Sequence, residues 1–212
     1  MSKIQEIAAA VEAGKSKIIE DLVKAALDEG VAPLEILNVG MIEAMGVVGD
    51  KFQKEEIFVP EMLVAARAMK KGVDVLKPHL GDASAAMIGK VIIGTVSGDL
   101  HDIGKNLVAM MIESSGFEVV DLGVDVPLDK FVEAVESDEK VNIVAASALL
   151  TTTMPAMKET VAALNASKAR GRFQILVGGA PITADFCKEI GADAYAPDAA
   201  AAGKKAREMV AG

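Results

Sequence analysis

Aromatic side chains and cysteine are scarce in this chain of 212 residues. It has no tryptophan, one tyrosine and six phenylalanines, so it lacks the rings on which an exposed flat ligand is usually stacked. Its single cysteine, Cys187, excludes an internal disulfide and a cysteine cage for a metal ion. We expect this thiol to be buried as a small apolar side chain.

Basic residues are also in deficit, since 22 Lys and Arg against 31 Asp and Glu give a formal net charge of −9. An acidic chain without basic stripes argues against a nucleic-acid partner. Its apolar runs stay short of the roughly 18 residues that a membrane-spanning helix needs, and its first residues lack a signal-peptide pattern. We therefore expect a cytoplasmic protein with neither a membrane nor a nucleic-acid partner.

The first 80 residues carry the apolar spacing of α-helices. Between residues 18 and 27, apolar side chains recur on one helical face, and Gly30 then supplies a C-terminal stop signal. Pro33 suits the first turn of the next helix, and similar patterns on either side predict four helices in all. We predict that residues 1–80 form a four-helix bundle.

After a linker predicted at residues 81–89, short apolar runs alternate with amphipathic stretches. The runs predict strands and the stretches predict helices, an alternation that is typical of right-handed crossovers in a parallel sheet. The predicted strands lie at residues 91–96, 118–123, 143–148, 174–179 and 194–196. We predict an α/β domain at residues 90–212, a flavodoxin- or Rossmann-like doubly wound five-stranded sheet whose ligand lies beyond the carboxyl ends of the strands.

The loop after the first predicted strand contains a histidine, His101, with the carboxylate Asp99 two residues before it. A nearby carboxylate commonly orients a metal-bound imidazole. The glycines at 94, 98 and 104 have the wrong spacing for a dinucleotide-binding fingerprint. A lone histidine is more often an ordinary surface or core residue than a metal ligand, so the interpretation of His101 depends on the other loops.

Hydroxyls and glycines follow the third and fourth predicted strands. Ser147 ends the third strand, and a run of three threonines occupies residues 151–153. These hydroxyls could line a ligand site or could only cap the helix that Pro155 opens, and the two roles are compatible. Gly178 and Gly179 leave space beside the sheet.

Together these loops resemble the cobalamin-binding family of corrinoid proteins. The family pattern is Asp-x-His-x-x-Gly, then a serine, then Gly-Gly, and it is matched in order and spacing by Asp99, His101, Gly104, Ser147, Gly178 and Gly179. In the first half, residues 45–52 and 58–62 resemble the helical cap of the same proteins. The resemblance covers essentially the whole chain, and extends to the corrinoid proteins of methylotrophic methyltransferase systems and to the cobalamin module of methionine synthase.

The resemblance implies a role for each matched residue. His101 would coordinate cobalt in place of the cofactor's own base, Asp99 would bond to the far imidazole nitrogen, and Thr153 would place a hydroxyl behind Asp99. The family usually has serine at this last position, and Thr151 or Thr152 could replace Thr153 if the loop differs. Further implied cofactor contacts are Gly98, Leu100, Asp102, Ile103, Gly104, Ser147, Leu149, Thr151, Gly178, Gly179 and Ala199. The implied cap over the upper face of cobalt consists of Phe52, Phe58, Val59 and Met62.

The resemblance further implies a methyl carrier that is not catalytic by itself. With cobalamin or a related corrinoid bound, cobalt(I) would accept a methyl group from a substrate-specific methyltransferase. Methyl-cobalt(III) would pass it to a second methyltransferase, with tetrahydrofolate or coenzyme M as the acceptor. An ATP-dependent reductive activator is the third implied partner. The choice among methylamines, quaternary amines, methanol and methoxyaromatics would belong to the partner enzyme.

Other functions compete with the carrier. A cobalamin-dependent sensor or regulator would need a DNA-reading helix and a basic face, which the net charge of −9 does not favour. A flavodoxin would need aromatic rings in the strand-end loops, and a receiver domain would need an acceptor aspartate where Ser147 lies. A carbon-skeleton mutase subunit shares the cobalamin motif but normally lacks a helical cap.

Overall fold

The computed structural model describes residues 2–80 and 87–211. The chain divides into two compact units, Met1–Ile88 with Ser114–Gly116, and Gly89–Glu113 with Phe117–Gly212. We call them the helical unit and the α/β unit. Residues 81–86 of the predicted linker lie outside the described part of the chain, so the predicted linker and domain boundaries stay predictions.

The helical unit contains helices at the predicted places. They are α1 (Lys3–Glu12), α2 (Ile19–Asp28), α3 (Pro33–Glu35), a π-helical segment (Ile36–Ile42), α4 (Glu43–Gln53), α5 (Val59–Leu76) and a 3-10 turn (Lys77–His79). Pro33 lies in the first turn of its helix, as the sequence predicts. From Pro33 the helical run continues to Gln53, and the sequence does not predict its widened π-helical turn.

Aliphatic and methionine side chains dominate the buried positions of these helices. They include Ile7, Val11, Ile19, Val23, Ile36, Leu37, Met41, Met45, Met62, Met69 and Leu76. Burial of each such side chain stabilises a fold by about 1.5–3 kcal/mol. Gly72 lets α5 approach the π-helical segment, because a Cβ atom there would lie 2.5 Å from Met41 Cε.

The α/β unit is a parallel sheet with helices between consecutive strands. Its elements are β1 (Gly89–Thr95), α6 (Ile103–Ser114), β2 (Phe117–Asp121), α7 (Leu128–Ser137), β3 (Val141–Ser147), α8 (Met154–Ala166), β4 (Gln174–Gly178), α9 (Ala184–Ile190), β5 (Ala194–Tyr195) and α10 (Ala199–Val210). The strand order is β2-β1-β3-β4-β5, and all pairs are parallel. This is the flavodoxin-like order, so the predicted fold class is confirmed and the topological switch point lies between β1 and β3.

The sheet is buried on both faces, because successive side chains of a strand point to opposite sides. One core contains Ile92 and Val144 with side chains of α7, α8 and α9, and the other contains Val91 and Ile143 with side chains of α6 and α10.

Two further expectations can be compared with the structure. Within residues 2–80 and 87–211, no helix combines the length and the apolar character that a bilayer crossing needs. Cys187 lies on α9 and is buried, as predicted, and this burial raises the pKa of its thiol.

Candidate functional site

The carboxyl ends of β1, β3 and β4 bring the three predicted motif parts to one edge of the sheet. In the sheet register, Thr95 pairs with Ser147, and Ser147 pairs with Gly178. The loops that follow are therefore neighbours at the switch point. We call them the histidine loop (residues 97–102), the hydroxyl loop (residues 148–153) and the glycine loop (Gly178 and Gly179).

A hydrogen-bonded chain connects His101 to the interior through Asp99 and Thr153. His101 Nδ1 lies 2.7 Å from Asp99 Oδ1, and Thr153 Oγ1 donates to Asp99 Oδ2 at 2.8 Å. The Leu149 N–H donates to Asp99 Oδ2 at 2.7 Å, and the His101 N–H donates to Asp99 Oδ1 at 3.1 Å. The Asp99 side chain is fully buried, whereas that of His101 is 48% exposed.

The charge state of Asp99 sets the tautomer of His101. Burial by itself would raise the pKa of Asp99, but the hydrogen bonds from Leu149, His101 and Thr153 outweigh it and hold this pKa well below its usual range. An ionised carboxylate can only accept, so Nδ1 of His101 carries the proton and donates. In the neutral ring Nε2 then keeps its lone pair, and the described residues offer it no hydrogen bond. An imidazole in this state can coordinate a metal through Nε2.

Of the three threonines, Thr153 is the one whose hydroxyl reaches Asp99. Thr153 is buried, and Thr151 and Thr152 are exposed. Thr153 precedes the first residue of α8, but its hydroxyl does not cap this helix; it donates to Asp99 and lies 2.9 Å from the Leu150 carbonyl oxygen. The alternative that this residue only caps the helix is therefore wrong for Thr153.

Exposed apolar side chains flank the imidazole. Leu100 and Ile103 are 72% and 76% exposed, and Leu149 and Leu150 are each 41% exposed. Apolar side chains left exposed in the loops of one site are compatible with contact to an apolar ligand. Leu150 is absent from the predicted site residues, although its place directly after Leu149 could have suggested it.

The glycines of the site are required for different reasons, either because a Cβ atom would clash or because of their backbone conformation. At Gly179 φ is +131°, and a Cβ atom would lie 1.8 Å from the Ala148 carbonyl oxygen, so the close approach of the hydroxyl loop alone demands glycine. A Cβ at Gly178 would lie 3.0 Å from the Ala196 carbonyl oxygen. At Gly104, in contrast, a Cβ would meet nothing within 4 Å among the described residues. Gly98 has a φ of +80°, which favours glycine for conformation alone.

The other predicted residues occupy varied positions. Asp102 is exposed and accepts from Asn106 Nδ2 at 3.3 Å, Ser147 is half-buried at the end of β3, and Ala199 is buried in the first turn of α10. Among the predicted cap residues, Met62 is buried, Phe52 and Val59 are half-buried, and Phe58 is 64% exposed. Their contacts with a cofactor stay predictions.

Sequence reasoning missed Thr95, which contacts the histidine loop, and an ion pair near the start of α6. Thr95, fully buried in β1, donates its hydroxyl to the His101 carbonyl oxygen at 2.9 Å. Lys105 is buried in the first turns of α6 and pairs with Asp121 at the end of β2.

Two family models match the chain, both described as B12 binding domain, one at residues 89–203 and the other at residues 3–77. The chain is 39% identical to dimethylamine corrinoid protein 1 of Methanosarcina acetivorans, over 98% of this chain and 97% of that protein. It is 40% identical to trimethylamine corrinoid protein 2 of the same organism, over 99% of both chains.

A solved structure matches nearly the full length of the chain. In the methanol:cobalamin methyltransferase complex of Methanosarcina barkeri, the matching chain is 32% identical with a TM-score of 0.85, and the match covers 99% of this chain and 80% of that one. The family models, the full-length relatives and the polar chain at the switch point agree. This chain belongs to the B12-binding family of corrinoid proteins, whose cofactor is cobalamin or a related corrinoid.

Proposed function

We propose that this chain carries methyl groups on a bound corrinoid between two methyltransferases. The observation that carries the proposal is the hydrogen-bonded chain from Thr153 through Asp99 to His101, at the switch point of a B12-binding α/β unit. When bound, the corrinoid supplies a cobalt ion that takes up and gives up a methyl group.

His101 is the residue that would hold this cobalt from one side. Its Nε2 is free of protein partners within the described residues, and its side chain is 48% exposed. Asp99 fixes the ring through Nδ1 and increases the electron density at Nε2. Thr153 in turn holds Asp99, so the imidazole cannot turn away without losing its hydrogen bond to this fixed carboxylate.

The surroundings of His101 fit a large, largely apolar ring. Leu100, Ile103 and Leu149 present exposed apolar surface, and the open side of Gly104 leaves room for close approach. We propose that the nucleotide tail lies along Ser147, Thr151, the glycine loop and Ala199. We propose that Gly98 and Asp102 contact the ring edge, and that Phe52, Phe58, Val59 and Met62 cap its upper face.

In this proposal the chain binds the cofactor, and the partner enzymes bind the methyl donor and the methyl acceptor. A substrate-specific methyltransferase would load the methyl group, and a second one would remove it to tetrahydrofolate or coenzyme M. An ATP-dependent activator would restore the reduced state, and the whole cycle would run in the cytoplasm. Relatives whose names specify dimethylamine and trimethylamine are 39% and 40% identical to this chain, so the nearly equal identities favour neither donor.

The test is reconstitution of the purified protein with methylcobalamin, followed by absorption spectroscopy. We expect a bound corrinoid with the bands of a histidine-coordinated cobalt. His101→Ala should bind in a base-off form, and His79→Ala should match the wild type, because His79 is exposed in the 3-10 turn after α5. A wild-type protein without bound corrinoid would contradict the proposal.

Carrier activity needs a second measurement on the same protein. The hydroxocobalamin-loaded protein is reduced with titanium(III) citrate and treated with methyl iodide. We expect the methyl-loaded spectrum to appear while the corrinoid stays bound. Reduced protein that takes up no methyl group would exclude a carrier and leave only a binding protein.

A further inference from the structure

Asp125 has an unusual backbone conformation in the loop that follows β2. Its φ is +51°, and among the described non-glycine residues only Glu55 shares a positive φ. The left-handed region costs an L-residue about 1–2 kcal/mol, although aspartate tolerates it better than most. Such conformations persist when surrounding contacts impose them, and they cluster at functional sites.

Asp125 holds the histidine loop by two opposite hydrogen bonds. Its carboxylate oxygen Oδ1 accepts from the Gly98 N–H at 2.7 Å and lies 3.4 Å from the Ser97 hydroxyl. Its own N–H donates to the Asp99 carbonyl oxygen at 2.9 Å. The side chain and the backbone of one residue therefore secure the two peptide groups on either side of Gly98–Asp99.

The loop that carries Asp125 is itself anchored to the sheet. The Val126 N–H donates to the Thr95 carbonyl oxygen, and the Thr95 N–H donates to the Gly123 carbonyl oxygen, both at 3.0 Å. The carboxylate of Asp121 accepts from the Gly123 N–H at 2.9 Å and from buried Lys105. Contacts with β1, β2 and α6 therefore fix the position of Asp125 independently of its contacts with the histidine loop.

We infer that Asp125 is a positioning residue for the cobalt ligand, acting through Asp99 on His101. Rotation of the backbone at residues 98 and 99 would displace the Asp99 carboxylate from His101 Nδ1. The two hydrogen bonds of Asp125 oppose this rotation and so hold Nε2 in its coordinating orientation. The inference rests on the proposed role of His101 as the cobalt ligand.

The experiment compares Asp125→Gly and Asp125→Asn with the wild type. Glycine keeps the left-handed conformation but removes the acceptor, whereas asparagine keeps both the conformation and a weaker, neutral acceptor oxygen. We expect the equilibrium constant for histidine coordination, measured by absorption with methylcobalamin as the probe, to fall about tenfold in the first and about threefold in the second. A tenfold change corresponds to about 1.4 kcal/mol.

Asp193→Ala is the matched control. Asp193 also accepts from a backbone N–H, that of Ile175 at 2.6 Å, and from Arg170, but it precedes β5 and lies at the opposite end of the strands. It should lower the free energy of unfolding in urea and leave the coordination constant within twofold of the wild type. The nitrogen splitting in the electron paramagnetic resonance spectrum of the cobalt(II) form gives a second readout of ligation.

Each outcome separates this inference from the function on which it rests. If His101→Ala has the same absorption bands as the wild type, His101 is not the cobalt ligand. The proposed function would then fail, although the contacts of Asp125 with the histidine loop would remain. An unchanged coordination constant in either folded Asp125 variant would overturn the inference. An equal fall in Asp193→Ala would overturn it as well, because the effect would then follow from lost stability alone.

Discussion

The histidine loop and the glycine loop lie at the same edge of the sheet but are held in different ways. In the histidine loop, oxygen atoms of Asp99, Thr153 and Asp125 hold the chain by hydrogen bonds of 2.7–2.8 Å. In the glycine loop, the backbone of Gly179 lies so close to Ala148 that a Cβ atom would come within 1.8 Å of a carbonyl oxygen.

This difference predicts different responses to substitution. The strength of a hydrogen bond varies with its acceptor, so a neutral or shorter acceptor side chain keeps part of the stabilisation that the original bond provides. Contact between two backbones leaves no room for any added atom, so no conservative variant exists. We therefore expect rescue by similar side chains in the histidine loop and none in the glycine loop.

Gly179→Ala should have the largest effect of the predicted variants. Its Cβ would overlap a backbone oxygen that no rotamer change can move, and its φ of +131° excludes a relaxed alanine. We expect the free energy of unfolding in urea to fall by about 3 kcal/mol or more. Gly171→Ala is the control, because in the described part of the chain a Cβ there meets nothing within 4 Å, so the change in stability should be about 0.5 kcal/mol or less. Equal stabilities would contradict the steric explanation.

Thr153→Val tests the polar loop with a side chain of the same shape. It removes one hydrogen bond to a buried carboxylate, which should cost about 2 kcal/mol of unfolding free energy. Thr153→Ser keeps the hydroxyl and should recover most of this loss, together with the histidine-coordinated spectrum. If serine and valine behave alike, the hydroxyl is not what holds Asp99.

The fold could be predicted from the sequence because its signals are local. Apolar runs at β1, β3 and β4 and helical spacing in α2 depend only on neighbouring residues, so the strands and helices are confirmed. The π-helical segment at Ile36–Ile42 could not be predicted, since apolar spacing does not distinguish a single widened turn from the α-helix around it.

Only the residues that belong to the sequence motif could be predicted as part of the site. Asp99, His101 and Thr153 follow from spacing and resemblance, and the structure places them within one hydrogen-bonded chain. The support from Asp125 could not be predicted, because its contacts join residues that become neighbours only when β2 pairs with β1. The support from Thr95 depends on how the histidine loop turns back over the end of β1, which residue spacing does not reveal. From the sequence, the glycine loop is predicted to make room for the cofactor. The structure shows that Gly179 is also required by the fold, because a Cβ there would overlap the Ala148 carbonyl oxygen.

The pH dependence of stability should show the polar network as a whole. The pKa of Asp99 is held below its unfolded value of about 3.9, so the network stabilises the fold at neutral pH, and this contribution is lost as the pH falls below about 4. In urea unfolding between pH 4 and pH 3, the wild type should lose about 1 kcal/mol more than Asp99→Asn, which cannot bind that proton. Parallel pH profiles for the two proteins would show that the carboxylate is not stabilised by folding.

Gly104→Ala should have the smallest effect on stability of the predicted variants, and we expect this effect to be a gain. Nothing in the described structure lies within 4 Å of the added Cβ, and alanine is the better helix former in the first turn of α6, so the apoprotein should gain about 0.5 kcal/mol. If the corrin ring approaches this open side, the same methyl group should weaken methylcobalamin binding about tenfold. A variant that is more stable and binds less would show that Gly104 is kept for the ligand, in contrast to Gly179, which the fold itself requires. Unchanged binding would remove Gly104 from the proposed contacts and leave the histidine loop to act through its polar groups alone.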